Sequence, residues 1–425
     1  MIDIKFLREN PGAIRQDLEK RNDLQKLSWV DEAIELDKEY RVCLQQSEEL
    51  RRKRNEITDE INKLMAQKKD FKQKIAEAKK LPGQIKELES KCAPIKEKID
   101  YYLMRLPNIL HPSVPVGKDD SQNVVVREVG KKISRPSLEP HGDILEKNGW
   151  ADFTRASKVA GSGFYFFKGQ FALLELSLMR YVLDKLIQKG YSPIAPPFLM
   201  NRAAYEGVVD LGDFENVMYK IEGQDLYLIA TSEHPLGAMF RDEIFSDSSL
   251  PLKFAGISAC FRKEIGKHGI DTRGIFRVHQ FNKVEQFIFC RPEDSWDLHE
   301  ELIANAEEIF KELGLAYRVV NICTGDIGTV ASKKYDLEVW MPREEKYREA
   351  VSCSNCTSYQ AVRSNIKYKL KGVDKEYVHT LNSTAVATTR ALRAIVETYC
   401  DNGVLKIPAP LQKYMNGAKE IRSEK

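Results

Sequence analysis

The sequence predicts an α+β fold: an antiparallel β-sheet flanked by helices, preceded by an N-terminal antiparallel α-helical coiled-coil arm. Three observations carry that prediction. From about Val30 to Leu106 the composition shifts to Glu, Lys, Gln, Arg and Leu, with apolar residues three and four apart. Beyond residue 118, short runs of Val, Ile, Phe and Tyr with period-two alternation outnumber the helical stretches, and hairpins predominate. The most pronounced of these hairpins alternates from Leu252 toward Cys260, turns through Gly266, Gly269 and Gly274, and returns from Phe281 to Phe289. An antiparallel sheet with helices on it is the natural class for such a chain.

The elements follow in order. Residues 1–28 read as a small helical cap, with Pro11 in the first turn of a helix. In the arm, Leu50, Ile57, Ile61 and Leu64 form one seam. Ile85, Leu88, Cys92, Ile95, Ile99 and Tyr102 form another. Joined near residues 66–71, the two make a helical hairpin over about 30–105. Pro82 predicts a kink or break, or a tip displaced toward it, because an internal proline costs roughly 3 kcal/mol. Three prolines between Leu106 and Pro115 end the arm and mark a linker. This divides the chain into residues 1–110 and 111–425.

Past the linker, Asn123-Val-Val-Val is strand-like. Gln170 to Lys189 is helical, with Leu173, Leu176, Leu178, Tyr181, Val182 and Leu186 as its apolar positions and Gly190 closing it. Tyr191 to Leu199 reads as an edge or interface strand because of its prolines. A polar loop over 210–216 is followed by a strand, Leu226 to Thr231, that delivers Thr231 and Glu233. An amphipathic helix spans Asp297 to Leu313, burying Leu302, Ala306, Ile309 and Phe310. Strands at Arg318–Cys323 and Leu337–Met341, a turn at Gly372, a strand end at His379–Asn382 and a helix from Val386 to Cys400 complete the chain.

Bulk properties restrict the partners. The net charge is +3 with 30% charged residues, so only local charge is informative. Residues 51–80 hold eleven Lys and Arg against five acids, a net +6, which leaves −3 for the rest. Such a run is a solvated coiled-coil face unless the rest of the chain points to a phosphate-backbone partner. The eight cysteines follow neither a disulfide framework nor a paired zinc pattern, so free thiols in a reducing compartment fit best. Cys353 and Cys356 form only half of a zinc set and read as packing. The acidic N-terminus is no signal peptide, and no run suffices to span a membrane; a cytoplasmic location follows.

Four blocks carry the chemistry: Thr231-Ser-Glu-His-Pro-Leu, Phe261-Arg-Lys-Glu with Phe276-Arg-Val-His-Gln-Phe, Arg348-Glu-Ala-Val-Ser-Cys-Ser-Asn-Cys, and Leu381-Asn-Ser-Thr-Ala-Val-Ala-Thr-Thr-Arg390. Arg262 and Glu264 are two apart, hence on one face of a strand, as are Arg277 and His279. A guanidinium beside a carboxylate suits a phosphate and a nucleotide ring. In identity and order these blocks resemble the motifs of class II aminoacyl-tRNA synthetases, specifically the seryl-tRNA synthetase family in its eukaryotic and archaeal branch. The likeness spans nearly the whole chain. It departs at Val362-Arg363, where relatives usually show two arginines.

That resemblance implies a ligase that joins serine and ATP into seryl-adenylate and passes the seryl group to tRNA(Ser), leaving tRNA(Sec) open. It implies Arg262 and Arg390 as catalytic residues, on the α- and γ-phosphates. ATP contacts would come from Arg262, Lys263, Glu264, Val278, His279, Gln280, Phe281, Glu349, Ala350, Val351, Ser352 and Arg390. Glu264 would meet the adenine amine, and Phe276 or Phe281 would stack the ring. Serine would be held by Thr231, Ser232, Glu233, Arg262, Glu285, Asn382 and Thr384, with Glu285 accepting from the hydroxyl. Glu349 and Ser352 would provide oxygens for Mg²⁺. The helix and strand around Pro197 would form a homodimer interface, and the basic arm would reach the tRNA's variable arm by shape. Two other readings stay open: a non-catalytic RNA-binding adaptor, and another class II amino-acid specificity.

Overall fold

A computed structural model of the chain describes residues 1–209, 217–264, 274–369 and 374–423. The polar loop over 210–216, the hairpin glycines Gly266 and Gly269, and the turn at Gly372 lie outside the described residues. The chain forms two compact units, Met1–Pro107 and Asn108–Lys425.

The first unit begins with α1 (Ile4–Glu9) and α2 (Pro11–Lys20), with Pro11 in the first turn of α2. Two long helices follow, α3 (Leu27–Ala66) and α4 (Lys72–Arg105). The chain reverses between them through Lys68, whose φ of 53° is left-handed. Ile57 of α3 and Ile85, Cys92, Ile99 and Tyr102 of α4 are buried along the seam, with Leu50, Ile61 and Leu64 half-buried. Ion pairs Lys53–Glu77 (3.0 Å) and Lys74–Glu60 (2.7 Å) cross between the helices beside it.

Two expectations for the arm are corrected. α4 runs unbroken through Pro82 and Pro94. Pro82 and Gly83 face solvent while Leu81 and Ile85 on either side pack inward, so burial of the seam outweighs the one lost backbone hydrogen bond. The thiols are not all free: Cys43 and Cys92 form a disulfide across the hairpin, with Cα atoms 6.0 Å apart. Opposed seam positions bring two cysteine Cα atoms within bridging reach. The other six cysteines are unbridged and buried.

The second unit is built on an eight-stranded sheet. Its strands and flanking helices are, in chain order, β1 (Val124–Val129), α5 (Gly169–Gln188), β2 (Ser192–Ile194), α6 (Glu233–Ala238), β3 (Leu252–Phe261) and β4 (Gln280–Cys290). Then come α7 (Ser295–Glu312), β5 (Tyr317–Asn321), β6 (Lys333–Met341), β7 (Lys346–Asn355), β8 (His379–Ala387) and α8 (Thr388–Tyr399). The spatial order is β1-β5-β6-β7-β8-β4-β3-β2. Every pairing is antiparallel except β2 with β3.

Helices α5, α7 and α8 pack on this sheet. Phe171, Leu174 and Leu178 of α5, Leu302, Ala306, Ile309 and Phe310 of α7, and Leu392 and Ile395 of α8 share one core with Val284, Ile288, Val319, Leu337 and Val351 of the strands. Leu173 and Leu176, two of the apolar positions read for this helix, lie on its outer side, 36% and 60% exposed. The core stripe uses Phe171, Leu174, Leu178, Tyr181, Val182 and Leu186. The strand expected over 191–199 is only β2 plus the short pair Leu199–Met200. Glu233 opens helix α6 rather than ending a strand, since the strand before it is only Tyr227–Leu228.

Candidate active site

Strand alternation builds the site. On β4, Val284, Ile288 and Cys290 enter the main core, whereas Phe281, Lys283 and Glu285 point to the opposite face. Further along that face, Phe287 and Phe289 pack with Leu236 of α6. On β8, Asn382 and Thr384 share the face of Lys283 and Glu285. Arg262 sits just past the end of β3, its Nε donating to the Ala230 carbonyl at 3.3 Å.

Two β-bulges complete the arrangement. Pairing of β6 with β7 steps from Leu337–Val351 to Glu338–Glu349, leaving Ala350 as the extra residue. In a regular strand Glu349 and Ser352, three apart, would face opposite sides; the bulge puts both on the cleft. Pairing of β8 with β4 slips in the same way between Thr384 and Val386. That bulge turns Ala387 to the cleft side just before α8 delivers Arg390.

The result is a cleft of about 270 Å³ lined by Thr231, Glu233, Arg262, Phe281, Lys283, Glu285, Lys334, Glu349, Ala350, Ser352, Asn382, Thr384, Ala387 and Arg390. Three carboxylates, Glu233, Glu285 and Glu349, thus face four cations, Arg262, Lys283, Lys334 and Arg390. Such a surface is set up for anionic groups at one end and an ammonium at the other.

The two ends differ electrostatically. Arg390 Nη1 donates to the Glu349 carboxylate at 3.0 Å and to its backbone carbonyl at 3.0 Å. Although neighbouring protein atoms partly desolvate it, the half-exposed Glu349 carboxyl is held well below the usual carboxylate range by Arg390, Lys334 and Arg262. Glu233 goes the other way. Burial and the neighbouring Glu285 charge push its carboxyl up to about 7, against the pull of Lys283, Gln360 and Arg262. Burial likewise raises Glu285, opposed chiefly by its ion pair with Lys283.

Several expected residues lie outside the cleft lining. Arg262 and Glu264 follow β3, and Arg277 and His279 precede β4, so neither pair shares a strand face as the spacing predicts; Phe261 ends the one strand and Gln280 starts the other. Glu264 pairs with Arg277 at 3.7 Å, and Lys263 lies over the Tyr219 ring. His279 is a structural link: its backbone carbonyl accepts from Arg262 N–H at 2.9 Å, and its ring stacks on Phe164. Ser232 is fully buried against Gly256, Val278 and Val351 are buried, and Gln280 faces a separate aromatic groove with Phe164 and Phe166. Phe276 is packed beneath both Arg390 (5.4 Å) and Arg393 (4.8 Å).

Lys283 and Lys334 were missed by sequence reasoning. For Lys283 the signal was present, since it falls two residues before Glu285 and two after Phe281 on one strand face. For Lys334 there was none, because only the pairing of β6 with β7 brings it here.

The fold and the cleft define a class II aminoacyl-tRNA synthetase. Residues 217–399 match the tRNA synthetase class II core domain (G, H, P, S and T), and residues 1–110 match the seryl-tRNA synthetase N-terminal domain. A serine–tRNA ligase from Methanocella arvoryzae is 58% identical over 425 residues, 99% of this chain and 100% of its own. The structure is similar to the crystal structure of seryl-tRNA synthetase from Pyrococcus horikoshii complexed with ATP (TM-score 0.90, 49% identity, 100% of both chains). It is also similar to the cytoplasmic serine–tRNA ligase of Naegleria fowleri in complex with AMP (TM-score 0.85, 36% identity, 100% of this chain and 99% of that one). The chain belongs to the seryl-tRNA synthetase family, and its activity is the ligation of serine to tRNA. Among the described residues no helix is long and apolar enough to cross a membrane.

Proposed function

We propose that this cleft condenses L-serine with ATP to seryl-adenylate, releasing pyrophosphate, and then passes the seryl group to the terminal ribose of tRNA(Ser). The observation that carries this reading is the convergence of Arg262, Glu285, Glu349 and Arg390, from four separate stretches of sequence, on one 270 Å³ cleft. Attack of a carboxylate on a phosphate brings two anions together, so cations and positioning supply most of the rate. Arg262 bridges the serine carboxylate and the α-phosphate with its planar fork. Arg390 takes the terminal phosphate. Phe281, which lines the cleft beside Arg262, offers an aromatic face to adenine, and Glu264 takes its amine. Thr231 and Glu233 receive the serine ammonium, and Glu285 accepts from its hydroxyl with Asn382 and Thr384 beside it.

Mg²⁺ fits the same geometry. Glu349 and Ser352 give two oxygens on one face because of the bulge at Ala350, and Mg²⁺ prefers one or two protein oxygens plus phosphates. When bound, it would neutralise charge on the departing pyrophosphate.

Residues 1–110 act as the tRNA-docking part and 111–425 as the catalytic part. The +6 charge over residues 51–80 supports an RNA partner for the arm. The exposed Leu173, Leu176 and Ile187 on the outer side of α5, with Phe198 and Leu199 exposed near β2, support an isologous homodimer. The enzyme works in the cytoplasm, with its tRNA. Pyrophosphate exchange into ATP tests the reading: it should depend on serine and be negligible with alanine, glycine or proline. Exchange driven equally well by another amino acid would refute it.

A further inference from the structure

The cleft holds a buried ion pair to which the steps above assign no role. Lys283 and Glu285 are two apart on β4, with side chains only 6% and 2% exposed. Both line the cleft. The Lys283 ammonium contacts Oε2 of Glu285, and Thr384 Oγ1 donates to that same Oε2 at 3.4 Å. Both contacts fall on Oε2, and the residue itself lines the cleft. One oxygen is therefore anchored and the other is presented to the cleft.

We infer that Lys283 is a specificity-determining positioning residue: by clamping Oε2 with Thr384 it fixes Glu285 as an anionic acceptor whose Oε1 faces the substrate hydroxyl. This rests on the reading of Glu285 as the hydroxyl acceptor.

The physical case is one of alternatives. A carboxylate this deeply buried and left alone takes up a proton, and Glu233 nearby adds like charge to the same pocket. A neutral acid can donate as well as accept, and it rotates freely between the two roles. The Lys283 ammonium on Oε2 opposes that proton and favours the acceptor form. An amino acid without a hydroxyl then leaves a desolvated anion unmet, which is the costliest mismatch a pocket can impose. Arg262 is left for the serine carboxylate.

The test is a double-variant cycle read by pyrophosphate exchange: Lys283→Met, Lys283→Arg, Glu285→Gln, and Lys283→Met with Glu285→Gln, each with serine and with alanine. Lys283→Met should raise KM for serine roughly a hundredfold, the worth of a charge-assisted hydrogen bond, with KM for ATP unmoved. Discrimination against alanine should fall by a similar factor. Lys283→Arg should restore most of both. In the Glu285→Gln background the loss of Lys283 should add little, because its action runs through that carboxylate. Should Lys283→Met alone fail to fold, the double variant buries no unpaired charge and still gives the comparison with Glu285→Gln. Additive losses overturn the inference, as does a KM for ATP that rises with that for serine, or an arginine variant no better than methionine. A Glu285→Gln enzyme with normal serine KM and discrimination would overturn the hydroxyl reading as well. A crippled Glu285→Gln beside a normal Lys283→Met would overturn only the role of Lys283.

Discussion

The arm and the catalytic unit reach order by opposite routes. The arm is local: two helices, α3 and α4, zip along one seam, and its contacts repeat with the sequence period. The catalytic unit is non-local: its cleft draws on residues from Thr231 to Arg390, brought together by strand pairings and two bulges. In the arm, cations such as Lys53 and Lys74 face water and pair across the surface, where an ion pair contributes little. In the cleft, Lys283 is buried and held by the Glu285 carboxylate, where losing one partner is expensive. The same residue types thus serve bulk electrostatics in one unit and exact positioning in the other. Charge in the arm should be exchangeable between positions; charge in the cleft should not.

The largest effect expected from that contrast is at Arg262. Arg262→Ala should depress pyrophosphate exchange by about a thousandfold or more, as loss of a central anion-stabilising group does. Folding and tRNA binding should persist, since the arm is intact. Near-normal exchange would remove Arg262 from the centre of the site. By comparison, a single arm cation such as Lys68→Ala should lower tRNA affinity severalfold at most, and reduce the salt slope by about one unit.

A smaller effect separates the cleft by pH. The Glu233 carboxyl is pushed up to about 7 by burial and by Glu285. It must be ionised to receive an ammonium. As pH falls through about 7 the group protonates, so kcat/KM for serine should fall, by at most about tenfold per unit, while kcat at saturation changes less. Glutamine at 233 should flatten the profile. Binding of tRNA at the arm does not involve Glu233 and should not share this limb. A flat serine profile in the unaltered enzyme would contradict the placement of the ammonium at Glu233.

The two units were also unequally legible in the sequence. The arm's seam could be written down from spacing alone, because burial there follows one period. What escaped were features set by partners across the hairpin. Cys43 and Cys92 are 49 residues apart and bridge only once the register is known. Pro82 looks disruptive until its outward facing is known. In the catalytic unit, motif residues could be named but not aimed. Glu349 and Ser352 share a face only because Ala350 bulges, and no residue pattern announces that bulge. Lys283 was readable from the alternation around Glu285, whereas Lys334 was not, since its place depends on a neighbouring strand. Leu173 and Leu176 fit a helical stripe equally well whether it faces the core or a partner.

The measurement that tests the division of labour most directly removes one unit's contribution and reads both activities. Deleting residues 36–100 and closing the hairpin takes away the run of +6 charge over residues 51–80 without altering any cleft residue. Serine-dependent pyrophosphate exchange should stay close to that of the full chain. Charging of tRNA(Ser) should collapse, mainly through weaker tRNA binding, and in the full chain that binding should fall steeply with salt as counterions are released. An arm-less enzyme that charges tRNA normally, or full-length binding indifferent to salt, would contradict the account.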